Sequence, residues 1–164
     1  LRAIRSNARE SLGEMRQLLN LLRADDSDPA VLAPVRGFAD LDQLIAAMRD
    51  AGLPIDASLA LGVESVGAGL ELATYRIVQE SLTNVLKHAG RVATRVEVAV
   101  SEDAVRICVL NSAGTSSDPA GRGGRGQVGM RERVHAADGS LNCGASADGG
   151  YRVEARLPRE RVPS

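Results

Sequence analysis

Aromatic side chains are nearly absent. Phe38, Tyr75 and Tyr151 are the full complement, and there is no tryptophan. The chain therefore offers neither a stacking platform for single-stranded nucleic acid nor a cage for a quaternary ammonium group. Long apolar runs are missing as well. Nothing approaches the roughly 20 residues needed to span a bilayer. Net charge is close to nil, with 20 Lys and Arg against 21 Asp and Glu. That balance argues against nucleic-acid or anionic-membrane binding through bulk charge. There is no initiator Met and no signal-peptide pattern. The first residues already follow a helical pattern, which is the expectation for a segment of something longer. Cysteine is scarce: Cys108 and Cys143 lie in strand-like stretches, with no second Cys or His at metal-ligand spacing. The expectation is two buried free thiols in a reducing compartment.

What is present is enough for one core and an appended element. The chain has 164 residues, 44% of them hydrophobic. In residues 1–23, Leu1, Ile4, Ala8, Ser11, Met15, Leu18 and Leu22 recur in steps of three and four, a heptad seam. Three heptads alone are marginal, so this helix calls for a partner helix or a second chain. Residues 24–38, with Asp25, Asp26, Asp28, Pro29, Pro34 and Gly37, read as a linker. A short helix follows. Asp40 is its expected N-cap, with Gln43 completing a capping box. Leu41, Leu44, Ile45 and Met48 form the apolar face, and Gly52 and Pro54 end it. Residues 54–63 suit a strand and 68–89 one long helix. Residues 92–100 and 104–110 are strands joined by the hairpin turn Ser101-Glu102-Asp103. Residues 112–126 form a loop without a large apolar side chain. Residues 127–137 are a helix, and 140–143 and 150–157 two more strands.

Two stretches carry chemistry. On a helical wheel, Leu70, Thr74, Ile77, Val78, Ser81, Leu82, Val85 and Ala89 fill one face of the long helix. Glu80, Asn84 and His88 step along its border, with Arg76 and Lys87 nearby. Asn is a poor mid-helix residue, and a half-buried amide needs partners. A carboxylate, an amide and cationic groups together suit a hydrated Mg²⁺ carrying a polyphosphate. A solvated helix edge laced by ion pairs is the alternative. The second stretch holds Gly121, Gly123, Gly124, Gly126 and Gly129 ahead of a helix. Glycines let backbone N–H groups approach an anion, and the helix dipole adds to the attraction. The GK[ST] ending of a P-loop is missing, and the entry to the helix is not that of a dinucleotide fold. A flexible linker and a single RGG-like patch are the bland alternatives.

The residues then meet a family. YRIVQESLTNVLKHAG (75–90) closely resembles the N-box of sensor histidine kinases of the NarL/DesK type. GRGQVGMRERV (124–134) resembles their second glycine box. GGYRVEARLP (149–158) is similar to their last strand, and IRSNARESLGEMRQLLNLLR (4–23) to the second helix of their dimerisation and phosphoacceptor bundle. The resemblance runs through nearly the whole chain in the family's order. It implies an α/β fold: a two-layer sandwich of the GHKL histidine-kinase ATPase type, a mixed sheet packed on helices. The implied divisions are 1–23 as part of the bundle, 24–38 as linker and 39–160 as the catalytic domain.

ATP and Mg²⁺ are the implied ligands. By resemblance Asn84 is the Mg²⁺ ligand. Glu80 is the catalytic residue: it holds the metal's water shell or assists proton transfer. Lys87 and His88 contact phosphate. Asn111 and Gly114 stand in the adenine box. Gly124, Arg125, Gly126, Val128, Gly129 and Met130 make up the lid and phosphate loop, with Gly124, Gly126 and Gly129 freeing the backbone. Closure of that lid excludes water from the γ-phosphate. The family often has D-x-G-x-G where this chain has Asn111-Ser112-Ala113-Gly114-Thr115, so an uncharged oxygen would accept the adenine amine. Gln127 stands where the family usually has Leu, an exchange expected to loosen the lid's anchoring.

The resemblance further implies a homodimer through the helix bundle, a response regulator of the LuxR/NarL class as partner, and a cytoplasmic location. Neither nucleic acid nor a direct membrane contact is implied. The chain has two histidines, His88 and His135, and neither has the context of the family's phosphoacceptor. The expectation is a fragment that binds ATP and does not phosphorylate itself. Two other readings compete: a GHKL protein-serine kinase of the anti-sigma-factor type, and a degenerate interaction module that has kept the fold and lost the nucleotide.

Overall fold

A computed structural model of the chain describes residues 36–62, 66–114 and 125–159. Contacts divide the chain into two units, 1–34 and 35–164, and the described residues belong to the second. The expectations for the heptad helix 1–23, for most of the linker 24–38 and for Gly124 fall outside the described residues.

The chain enters through a 3₁₀ turn, Phe38–Asp40, that runs into α1, Leu41–Asp50. Asp40 does not cap α1. Its backbone is helical, and its Oδ2 accepts a hydrogen bond from Gly37 N at 2.9 Å, so its carboxylate closes the preceding turn. The end of α1 follows the expectation. Gly52 takes φ 92°, Leu53 N bonds Met48 O and Gly52 N bonds Arg49 O. That pair of bonds is a Schellman stop, and the left-handed position favours glycine. Arg49 donates from Nε and Nη2 to Ile55 O, which ties the helix to the next strand.

Five strands follow: β1, Ile55–Ala60; β2, Thr94–Val100; β3, Ala104–Asn111; β4, Ser140–Ala145; and β5, Tyr151–Pro158. Their order across the sheet is β1-β2-β3-β5-β4. β1 runs parallel to β2, and every other pair is antiparallel, so the sheet is mixed. The parallel pair requires a crossover, which is supplied by α2, Ala68–Asn84, and the turn after it. The hairpin between β2 and β3 closes at Ser101, whose N and Oγ both donate to Ala104 O.

Strand alternation sorts the two faces. Val96, Val98, Val105, Ile107, Val109, Val153, Ala155 and Leu157 point inward. They pack on Leu41, Leu44, Ile45 and Met48 of α1, on Tyr75, Ile77, Val78 and Leu82 of α2, and on Met130 and Val134 of α3, Arg125–Ala136. The outer face carries charge: Arg95 pairs with Asp56, Arg152 with Glu154, and Arg156 with Asp103. The two cysteines, both free and half-buried, lie on opposite faces. Cys108 is in register with Glu154 on the outside, and Cys143 with Val153 on the inside. A disulfide between them would have to pass through the sheet. Burial pushes both thiols up.

The long helix departs from expectation at its end. It is α-helical only to Asn84. Val85–Ala89 form a π-turn, closed by a bond from Gly90 N to Val85 O, with Gly90 at φ 85°. The i, i+4 row from Glu80 to Asn84 therefore does not continue to His88. Among the described residues no helix is long and apolar enough to cross a membrane.

Candidate functional site

The site is assembled where α2 ends. Glu80 and Asn84 are one turn apart on α2 and both half-buried, and Glu80 lies against the first turn of α3. The buried side is wider than one stripe and includes Thr74, Gln79 and Thr83 with the apolar residues. Lys87 and His88, on the π-turn, are exposed. Single π-turns within helices recur at functional sites, because the extra residue re-aims the side chains that follow.

Two other segments reach this end of α2. The first leaves β3. Asn111 is buried, and its Nδ2 donates to Ser112 O at 2.7 Å, which fixes the amide with Oδ1 at the opposite end. Ser112 N bonds Ala93 O, and the backbone of Gly114 lies against Ala89. A Cβ on Gly114 would stand 2.7 Å from Ala89 Cα, so this position admits only glycine without a backbone shift. The second segment is the first turn of α3. There the backbone of Gly126 lies so close to Glu80 that an added Cβ would overlap Oε1 of the carboxylate. A carboxylate beside the first turn of a helix also sits at the favourable end of its dipole.

The remaining predicted residues divide. Val128 is exposed on α3. A Cβ on Gly129 would meet only the mobile tip of Arg133, so packing does not demand glycine there. Met130 is wholly buried: its sulfur lies 3.7 Å from Ser81 Oγ, between α2 and α3. It belongs to the helix packing and not to an open face. The side chain of Arg125 lies outside the described residues.

Gln127 has a polar partner at this turn. Its Nε2 donates to the Tyr151 hydroxyl at 2.9 Å, so the polar residue anchors the first turn of α3 to β5. Tyr151 was visible in the sequence as one of three aromatics, but nothing marked it as part of a site. The register explains its place. Thr94, Asn111 and Tyr151 form one row across β2, β3 and β5 on the inner face. Burial pushes the Tyr151 phenol up. The arrangement joins an anion-tolerant helix turn, a fixed amide oxygen, a carboxylate–amide pair and two exposed basic groups. Among the described residues no three His, Cys, Asp or Glu side chains converge as a metal cluster. A metal here would be a hard cation using few protein oxygens, with water and phosphate completing its shell.

No family model matches the chain. Among curated proteins, it is 30% identical over 155 residues to the sensor histidine kinase YxjM of Bacillus subtilis, covering 93% of this chain and 36% of that protein. Along nearly its whole length the chain is similar to sensor histidine kinases. It is 28% identical to the histidine-protein kinase/phosphatase DegS of Brevibacillus brevis, over 96% of this chain and 40% of DegS. The chain thus spans between a third and two fifths of the length of those two relatives. Among solved structures, the blue-light activated histidine kinase of Erythrobacter litoralis EL346 shares its fold. The TM-score is 0.59 and the identity 20%, over 94% of this chain and 56% of that one.

Proposed function

We propose that the chain is the ATP-binding catalytic part of a two-component sensor histidine kinase. In this reading it delivers the γ-phosphoryl group of ATP to a histidine, which hands it to an aspartate of a response regulator. The observation that carries the reading is the meeting of three segments at the end of α2: the Glu80–Asn84 edge, Gly126 against Glu80, and Asn111–Gly114 against Ala89. Adenine would lie toward Asn111, whose Oδ1 accepts from its amino group. The triphosphate would lie toward α3, within reach of Lys87 and His88, with the Lys87 ammonium neutralising charge.

Mg²⁺ fits the donors present, since Asn84 offers one hard oxygen and Glu80 can order bound water. When bound, the ion neutralises charge on the phosphates. The chain's own residues hold the nucleotide in line and keep water from the γ-phosphate. Lys87 and His88 contact phosphate, and Glu80 orients water or takes a proton. Neither His88 nor His135 serves as the acceptor in this reading. A homodimer, a regulator of the LuxR/NarL class and a cytoplasmic location complete it.

Calorimetric titration of ATP with and without Mg²⁺, repeated on Asn84→Ala, tests the proposal. Mg²⁺-dependent binding that the substitution abolishes is the expected result. Absence of binding under every condition overturns it. One observation favours a second reading: the adenine-box position holds an uncharged Asn whose amide is already engaged with Ser112. A module that has kept the fold and lost the nucleotide would give that negative result.

A further inference from the structure

The first turn of α3 is held from two sides. Gly126 rests on the Glu80 carboxylate from α2. The next residue, Gln127, reaches the other way and donates to Tyr151 Oη on β5. Tyr151 opens β5 and is the direct cross-strand partner of Asn111, so its ring stands on the same inner face as the box amide. The Gln127–Tyr151 bond therefore joins the row bearing Asn111 to the turn facing Glu80. These are the base end and the phosphate end of the proposed site. The bond links two half-buried residues 24 positions apart, so the strand register and the helix position, not local sequence, bring the pair together. An apolar residue at 127 could pack there but could not hold the turn at one distance and angle.

We propose that Gln127 and Tyr151 are positioning residues for the nucleotide's phosphates: their hydrogen bond fixes where the first turn of α3 stands relative to the base-binding row. The inference rests on the ATP reading above. The phenol does not touch the phosphates. It acts through Gln127, by keeping the first-turn N–H groups, which lack intrahelical partners, at a set distance from the row that holds the base. Losing the bond would leave the base contacts intact and let the turn drift.

The test is a double-mutant cycle on the full chain, with Tyr151→Phe, Gln127→Ala and the pair. Each protein is titrated calorimetrically with Mg·ATP and with adenosine. Thermal melting of each variant identifies any that fails to fold, and Tyr151→Phe keeps the ring and its packing. One net hydrogen bond corresponds to a change of roughly twofold to tenfold. ATP affinity is expected to fall by about that factor in each single variant and no further in the double, with adenosine affinity unchanged within about twofold.

Wild-type ATP affinity in either folded single variant overturns the inference, as do strictly additive losses. Equal losses for ATP and adenosine overturn it too, because Tyr151 would then contact the base. If the unaltered chain binds no ATP, the functional reading itself falls and this inference with it. Binding by the unaltered chain that both variants retain in full removes the inference alone.

Discussion

The carboxylate of Glu80 occupies the space that a side chain on Gly126 would need. The constraint is one-sided. Oε1 is the far end of a flexible side chain, so a methyl group at 126 can push it aside at little cost to the fold. Gly126→Ala is therefore expected to melt within about 2 °C of the wild type, which corresponds to no more than about 1 kcal/mol. Its effect should fall on Glu80. ATP affinity should drop several-fold with Mg²⁺ present and stay level in EDTA. Equal affinities under both conditions in the variant and the wild type would show that Glu80 has no part in the metal shell.

Gly114 presents the opposite case. The atoms a Cβ would meet there are Ala89 Cα and O, which are backbone and cannot swing away. Gly114→Ala should destabilise the domain by about 1–3 kcal/mol, the usual cost of forcing atoms into a packed interior. Urea unfolding monitored by circular dichroism measures it. A midpoint identical to that of the wild type would mean that the segment after β3 does not rest on the π-turn.

Asn111→Asp introduces a charged acceptor at the adenine-box position, and on chemistry alone it should strengthen adenine binding. The structure opposes that gain. Asn111 Nδ2 donates to Ser112 O at 2.7 Å, and a carboxylate there would set one acceptor against another. The variant should lose about 1–3 kcal/mol of stability, lowering the melting temperature by roughly 2–12 °C. Any improvement in ATP affinity should be correspondingly smaller. A melting temperature at or above the wild-type value would contradict this account.

Asp103 predicts a pH dependence. Hydrogen bonds from Ser101 and Arg156, with Arg106 nearby, pull its carboxyl down from 3.8 to about 2. A depressed carboxylate contributes stability that is complete above its unfolded value and lost as pH falls through the folded one. The contribution should therefore fade between about pH 4 and pH 2. The group is solvent-exposed, so salt should weaken the effect. Melting curves of the wild type and Asp103→Asn should differ near pH 6 and converge near pH 2. A difference that persists at pH 2 would assign it to something other than ionisation.

Strands and core were legible because their signal is local. Alternation placed β2 and β3 within two residues of their ends, and the apolar row of α1 was read correctly down to Met48. Single hydrogen bonds were not legible. Asp40 carries the right side chain for an N-cap, yet its backbone had already turned helical and its carboxylate closed the turn behind it. The π-turn was invisible because no residue in Val85–Ala89 is unsuited to an α-helix. Within the site, Asn84, Glu80 and the glycines stood out by residue type. Gln127 and Tyr151 did not, because their partnership spans 24 positions and depends on the strand register that brings Tyr151 beside Asn111.

The π-turn also has a consequence for how the chain tolerates change in length. A turn closed by an i→i+5 bond contains one residue more than an α-helical turn requires. Removing one residue between Val85 and Ala89 would let α2 run on as ordinary helix, so the fold has a place to absorb a deletion that would ruin most helices. The site does not. The loss would rotate Lys87 and His88 to a new heading and draw Ala89 back from Gly114. The residue is surplus to the helix alone, and its presence sets the direction in which the two basic side chains point.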